Sequence, residues 1–188
     1  MNKLFEFWFS YLIIALWLLV YLLCQKWNLT DRFSNMGIDC IGNQYYRFGT
    51  ALLLHGNFLH VLANAAGLYF VGSYLEPQVC SWKLLLFSVL IGMGTNALFS
   101  SIYRNAVSAG GSPVIFALIG LILALQMTQT DMFEFKLGSW YGNWILCYTL
   151  FANIPLFSTS FVSTLLIHAV PTVMGIVLGY TCIVLKLL

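Results

Sequence analysis

Apolar residues fill this chain in long uninterrupted runs, and charged residues mark where each run stops. Five intervals carry no formal charge: Phe7–Gln25, Phe48–Leu75, Leu84–Tyr103, Asn105–Thr130 and Leu137–Leu185. A membrane-spanning helix needs about 20 predominantly apolar residues. Each of the first four intervals accommodates one span, and the fifth is long enough for two. The pattern predicts an all-α polytopic membrane protein, a bundle of six transmembrane helices at about 5–23, 58–75, 82–102, 112–130, 140–157 and 163–187. The first run is too long for a signal-peptide core and lacks a small-residue cleavage site, so it is expected to remain as a helix. With six spans placed, no length is left for a soluble domain, and residues 1–188 are expected to form one membrane domain.

Local chemistry punctuates the runs. Glu76-Pro77 closes the second span, because proline cannot continue a helix. Gly110-Gly111 gives a flexible approach to the fourth, with Ser112 as its cap and Pro113 in its first turn. Between the first two spans, Cys24 to Arg47 is a mixed polar and aromatic segment without a helical period. Its Trp27, Phe33, Tyr45 and Tyr46 suit a segment lying against the lipid interface, and loops of this length tend to be functional.

Composition narrows the possibilities further. Of 188 residues, 61% are apolar and 7% charged, against roughly a quarter charged in soluble domains. Any chemistry must therefore occur in or beside a lipid bilayer. A net charge of +2 without a basic cluster gives no footprint for nucleic acid. The five cysteines have no CxxC spacing and there is no HExxH, so no metal is expected, and nothing points to a cofactor. Cys24 and Cys40 could pair if both lie on one side, although free cysteines are common in apolar surroundings. Lys3, Lys83, Lys136 and Lys186 fall on one side of the bilayer and Lys26, Arg32, Arg47 and Arg104 on the other, so the positive-inside rule is silent.

Polar residues at bilayer depth are costly and mark candidate sites. His60 and Asn64 lie one helical turn apart on the second span. Ser112 opens the fourth span, and His168 lies in the outward third of the sixth. Even-numbered spans run parallel, so all three bring polar groups toward the same membrane face. His168, Pro171, Gly175 and Gly179 form one helical stripe whose small residues admit a close neighbour. If that neighbour is the fourth span, His168 meets Ser112 and the pair is a nucleophile with its base. The six acidic residues all lie outside the span interiors, which favours a dyad over a triad with a carboxylate. Phe116, one turn past Ser112, could instead pack on the imidazole and orient it. Plainer readings stand beside these: Ser112 as a helix cap, His168 as an interhelical donor, His60 and Asn64 as packing glue. His55, about 140° round a helix from His60, is read as structural and outside their site.

These residues together resemble the rhomboid intramembrane serine proteases over essentially the whole chain. The block HGNFLHVLANAAGLYFVGSYLE resembles the family's HxxxN signature, with His60 and Asn64 in those places and Glu76 at the span's end. Tyr46-Arg47 stands where the family usually has Trp-Arg. Gly110, Gly111 and Ser112 fit the GxS of its GxSG motif, and His168 with Gly175 fits its sixth-span pattern. The resemblance implies Ser112 as nucleophile and His168 as general base, with His60, Asn64 and the Ser112 amide forming an oxyanion hole. It also implies an active site opening toward the extracytoplasmic side of a cell membrane, in a multi-pass protein of prokaryotic plasma-membrane type. The fifth span and Phe157–Phe161 would form the gate, and the substrates would be single-span membrane proteins. The chain departs from the family pattern in Pro113, which replaces the glycine after the serine, and in Pro171, which replaces a glycine one turn past the histidine. Both prolines are expected in the first turn or so of their helices, where they are tolerated. Phe116 stands where tyrosine is frequent, which keeps ring stacking. The alternatives to a protease are a catalytically inactive rhomboid-like protein that binds membrane clients and, more remotely, a small-solute transporter.

Overall fold

The structure, a computed structural model, describes residues 8–128, 138–154 and 161–188. Helix α1 (Trp8–Trp27) runs one turn beyond the expected end of the first span. The segment after it is not irregular. It holds three single-turn helices, α2 (Thr30–Phe33), α3 (Ile38–Ile41) and α4 (Arg47–Thr50), and strand β1 (Asn35–Met36). A 3-10 turn at Ala51–Leu53 follows, then α5 (Phe58–Leu75) and α6 (Ser81–Ile102). Strand β2 (Val107–Ser108) pairs antiparallel with β1, Asn35 opposite Ser108. The chain continues through α7 (Ser112–Thr128), α8 (Trp140–Ala152) and α9 (Phe161–Val184). By length and composition α1, α5, α6 and α9 can cross a membrane; α7 is a shorter apolar helix, and α8 has 13 residues.

Burial explains the layering. In α7 every residue from Ser112 to Ile122 is buried, the pattern of a helix enclosed on all sides. The surrounding helices turn large apolar side chains outward: Leu12, Leu19 and Leu22 on α1, Leu59 and Leu62 on α5, Leu86 and Leu90 on α6, Val173 and Val177 on α9. Apolar faces of this extent need lipid rather than water. The protein is an all-α bundle of a multi-pass membrane protein, with α7 as its axis.

Close backbone approach sets the central contact. A Cβ on Gly120 would overlap the carbonyl oxygen of Thr172, and one on Gly175 would overlap that of Ala117. The small-residue stripe of α9 therefore faces α7, as its spacing predicts. Pro171 differs from expectation. Because α9 begins at Phe161, the proline lies about three turns inside the helix. Ile167 thereby loses the amide that would have bonded its carbonyl. Beside this gap the Thr172 hydroxyl donates to the His168 carbonyl at 2.8 Å.

Buried polar groups tie the periphery to this axis. Glu76 caps α5 and accepts from the backbone N–H groups of Phe9 and Ser10 (both 3.1 Å) and from the hydroxyls of Ser10 (2.6 Å) and Ser81 (2.7 Å). One carboxylate thus joins α1, α5 and α6, through charge-assisted bonds that are individually strong. Arg47 is likewise buried. It donates to Gln44 Oε1 (2.6 Å) and to the carbonyls of Asp31 (2.8 Å) and Ser34 (2.9 Å), drawing the first loop together. Asn35 anchors that loop to α6: its Nδ2 donates to the Asn96 carbonyl at 3.2 Å, and its Oδ1 accepts from Ser100 at 2.8 Å. Arg104 pairs with Asp39 at the exposed rim, Nε to Oδ2 2.9 Å, and that carboxylate holds the guanidinium above its ordinary pKa. Cys24 and Cys40 are not paired; the first is buried and the second exposed.

Candidate active site

Three helix starts converge on one cavity. Asn57 accepts the His60 amide at 2.8 Å and so fixes the beginning of α5 at Phe58. His60 and Asn64 then lie in the first two turns. On the next element, Gly110 donates its amide to the Ala51 carbonyl at 3.0 Å. Its φ of +155° favours glycine, and a Cβ there would press on the His60 ring at 3.0 Å. At Gly111 a Cβ would overlap the Trp17 ring. The two glycines are therefore close-packing positions that seat the start of α7 on α1 and α5, where the sequence suggested only a flexible approach.

This seating aims the serine. Ser112 Oγ lies 3.1 Å from His168 Nε2, with the two residues 8% and 6% exposed. The hydroxyl that could have served as a helix cap is engaged with the imidazole. Phe116 stacks on that imidazole, ring centroids 4.2 Å apart and planes within 14°. On the other edge of the ring, Nδ1 lies 3.1 Å from Asn153 Oδ1. Asn153 caps the C-terminus of α8, a position the sequence reading passed over.

Asn64 Oδ1 accepts a long hydrogen bond from the Tyr148 hydroxyl (3.4 Å). Its Nδ2 is buried and has no hydrogen-bond partner among the described residues. Leaving a buried donor unsatisfied costs about 1–3 kcal/mol, so this N–H is held ready for an acceptor. His60, Asn64, Ser112, Tyr148, Thr164 and His168 line a cavity of about 180 Å³.

His55 requires a correction. A helical angle separates it from His60 only if both are helical, and the helix starts at Phe58. Its ring lies edge-on to His60 (centroids 5.0 Å) and to Trp17 (5.3 Å), and its Nε2 accepts from the Gly111 amide at 3.4 Å. It therefore props both the glycine turn and His60. Tyr148 was also missed; its signal was the i, i+4 repeat Trp140, Trp144, Tyr148, a stripe of rings on α8. Trp144 stacks on Phe70 at 4.6 Å and on Tyr148 at 5.0 Å. The expected gate at Phe157–Phe161 lies outside the described residues, apart from the backbone of its last residue.

The fold and this cavity define a polytopic helical membrane protein that holds a serine and a histidine in contact among its helices. Residues 42–185 match the family model described as "Rhomboid domain", and the chain belongs to the rhomboid family. It is 30% identical to "RHOMBOID-like protein 1" of Arabidopsis thaliana over 97 residues, 52% of this chain and 25% of that protein. It is 27% identical to "Rhomboid protease GluP" of Bacillus subtilis (strain 168) over 138 residues, 70% of this chain and 27% of that one. "Rhomboid-like protein 11, chloroplastic" of Arabidopsis thaliana is 32% identical over 85 residues, 45% and 30% of the two chains. The matches thus span between a quarter and a third of these relatives' lengths.

Proposed function

We propose that this protein is an intramembrane serine endopeptidase acting on single-span membrane proteins from within a six-span bundle. The observation that carries the reading is the 3.1 Å contact between Ser112 Oγ and His168 Nε2, buried in the bundle. Ser112 Oγ attacks the scissile carbonyl carbon as His168 Nε2 takes its proton, and the imidazolium returns that proton to the leaving amine. Water then attacks the acyl-serine by the same base, releasing the second product. Asn64 Nδ2, His60 and the Ser112 amide receive the negative charge on the tetrahedral oxygen, and the N-terminus of α7 adds its partial positive charge. The chemistry needs extended peptide and water, so substrates are cut where a transmembrane helix unwinds readily. The cavity opens toward the extracytoplasmic side of the cell membrane in this reading. No metal or cofactor takes part.

A rhomboid-like protein that binds membrane clients without cutting them is the alternative, motivated by Pro113 and Pro171. With both prolines present the serine and histidine remain in contact, which favours the enzyme. The deciding experiment is fluorophosphonate labelling of the purified protein in detergent, followed by peptide mapping. The label is expected on Ser112; an unlabelled protein, or a label elsewhere, would sink the protease reading.

The orphaned donor of Asn64 gives a graded test. Asn64→Ala is expected to lower kcat toward a model single-span substrate by about 10²–10³-fold, the worth of one oxyanion donor. KM should stay nearly constant, since the bond strengthens only as charge develops. Unchanged turnover would reduce Asn64 to a packing residue.

A further inference from the structure

The partner of His168 Nδ1 comes from neither helix that carries the reacting pair. Asn153 closes α8, and its carboxamide is used on both sides. Nδ2 donates to the Thr149 carbonyl at 2.8 Å, while Oδ1 lies 3.1 Å from His168 Nδ1. A backbone carbonyl can only accept, so it fixes which end of the amide faces the histidine. The end that faces it is an oxygen, which also only accepts. Nδ1 must then carry the imidazole proton, and Nε2 is left with a lone pair directed at Ser112 Oγ.

We infer that Asn153 is a positioning residue for catalysis: it holds His168 in the Nδ1–H tautomer with Nε2 as the base, completing a serine–histidine–asparagine chain that ends on the Thr149 carbonyl. The inference rests on the protease reading of Ser112 and His168. It supplies a third member that no acidic residue among the described residues supplies. Phe116 fixes the plane of the ring by stacking, but a half-turn about the Cβ–Cγ bond would keep that plane while exchanging Nε2 for Cε1. The hydrogen bond to Asn153 fixes that rotation, and with it the line from Nε2 to the serine. The base is therefore set by α8, whereas the nucleophile is set by α7.

A bland account makes Asn153 only the end cap of α8 through its bond to Thr149. The two roles use opposite ends of the amide and can be separated. Asn153→Asp keeps an acceptor for Nδ1 and loses the donor to Thr149. Asn153→Leu and Asn153→Ala lose both. The fluorophosphonate labelling rate of Ser112 and the kcat and KM for a single-span substrate are measured for each, on preparations whose thermal midpoints confirm folding. Positioning predicts a fall in labelling rate and kcat of roughly 10- to 100-fold in the leucine and alanine variants, with KM unchanged. The loss is smaller than the roughly 10⁴-fold that follows when a third group imposes the wrong tautomer, because the empty site still permits the right one. The aspartate variant should stay within about fivefold of the parent. Labelling as fast as the parent in the leucine variant, or an aspartate variant as slow as leucine, would overturn the inference. Failure of the parent protein itself to label at Ser112 would instead defeat the protease reading beneath it.

Discussion

Ser112→Ala is expected to end peptide-bond hydrolysis and leave the bundle folded. The serine is buried, but its hydroxyl is small and faces the cavity, so alanine removes one oxygen without opening a gap in the core. The loss should be on the order of 10⁶-fold in kcat, as when the nucleophile of a soluble serine protease is removed. The donors proposed for the oxyanion remain in this variant, yet they would act only on charge that develops after a nucleophile attacks. Substrate binding should persist, so the variant should still retain an intact single-span substrate in a pull-down from detergent. Cleavage of a labelled substrate followed on a gel decides the matter: continued hydrolysis at the parent's rate would mean another group performs the attack.

Gly175→Ala should nearly silence the protein from a position outside the lining of the cavity. The added Cβ would overlap the Ala117 carbonyl oxygen, a backbone atom with no rotamer through which to yield. Helices α7 and α9 must therefore part by on the order of 1 Å, a displacement that costs about 100-fold in rate when it misplaces reacting groups. Gly175 lies two turns along α9 from His168, so the parting is felt directly at the serine–histidine contact. Gly49→Ala is the matched control, because its Cβ would meet only the flexible Met93 side chain at 3.7 Å. The measurement is the labelling rate of Ser112 in both variants. Equal rates would mean that α7 and α9 slide apart without disturbing the pair.

Much of this arrangement was legible in the sequence because membrane burial leaves a coarse signal. Intervals without charge located the long helices, since a charge at bilayer depth is costly wherever it falls. His168 and Gly175 shared a face by spacing alone, and that face does meet α7. Side-chain chemistry also marked Phe116, whose stack on His168 follows from one turn of helix after Ser112. Helix starts were legible too: the expected starts at 58, 82, 112, 140 and 163 fall within two residues of Phe58, Ser81, Ser112, Trp140 and Phe161. What failed was the helical angle applied to His55, which lies before α5, and the placing of Pro171 in a first turn when it lies well inside α9. Asn153 was hidden for a different reason. Its role depends on where the end of α8 sits relative to α9, a tertiary relation with no trace in local spacing. The first loop was hidden in the same way: Arg47 organises it through carbonyls, and every residue supplies one of those.

Enclosure of α7 on all sides has a consequence for how this sequence can drift. From Val114 to Ile122 a side chain on that helix has no free direction in which to grow, so each enlargement must push a whole neighbour aside. The outward leucines and valines of α1, α5, α6 and α9 face a fluid that accepts almost any greasy shape. Tolerance to substitution should therefore be concentric: strict at the axle that carries the serine, permissive at the rim, where greasiness alone is required.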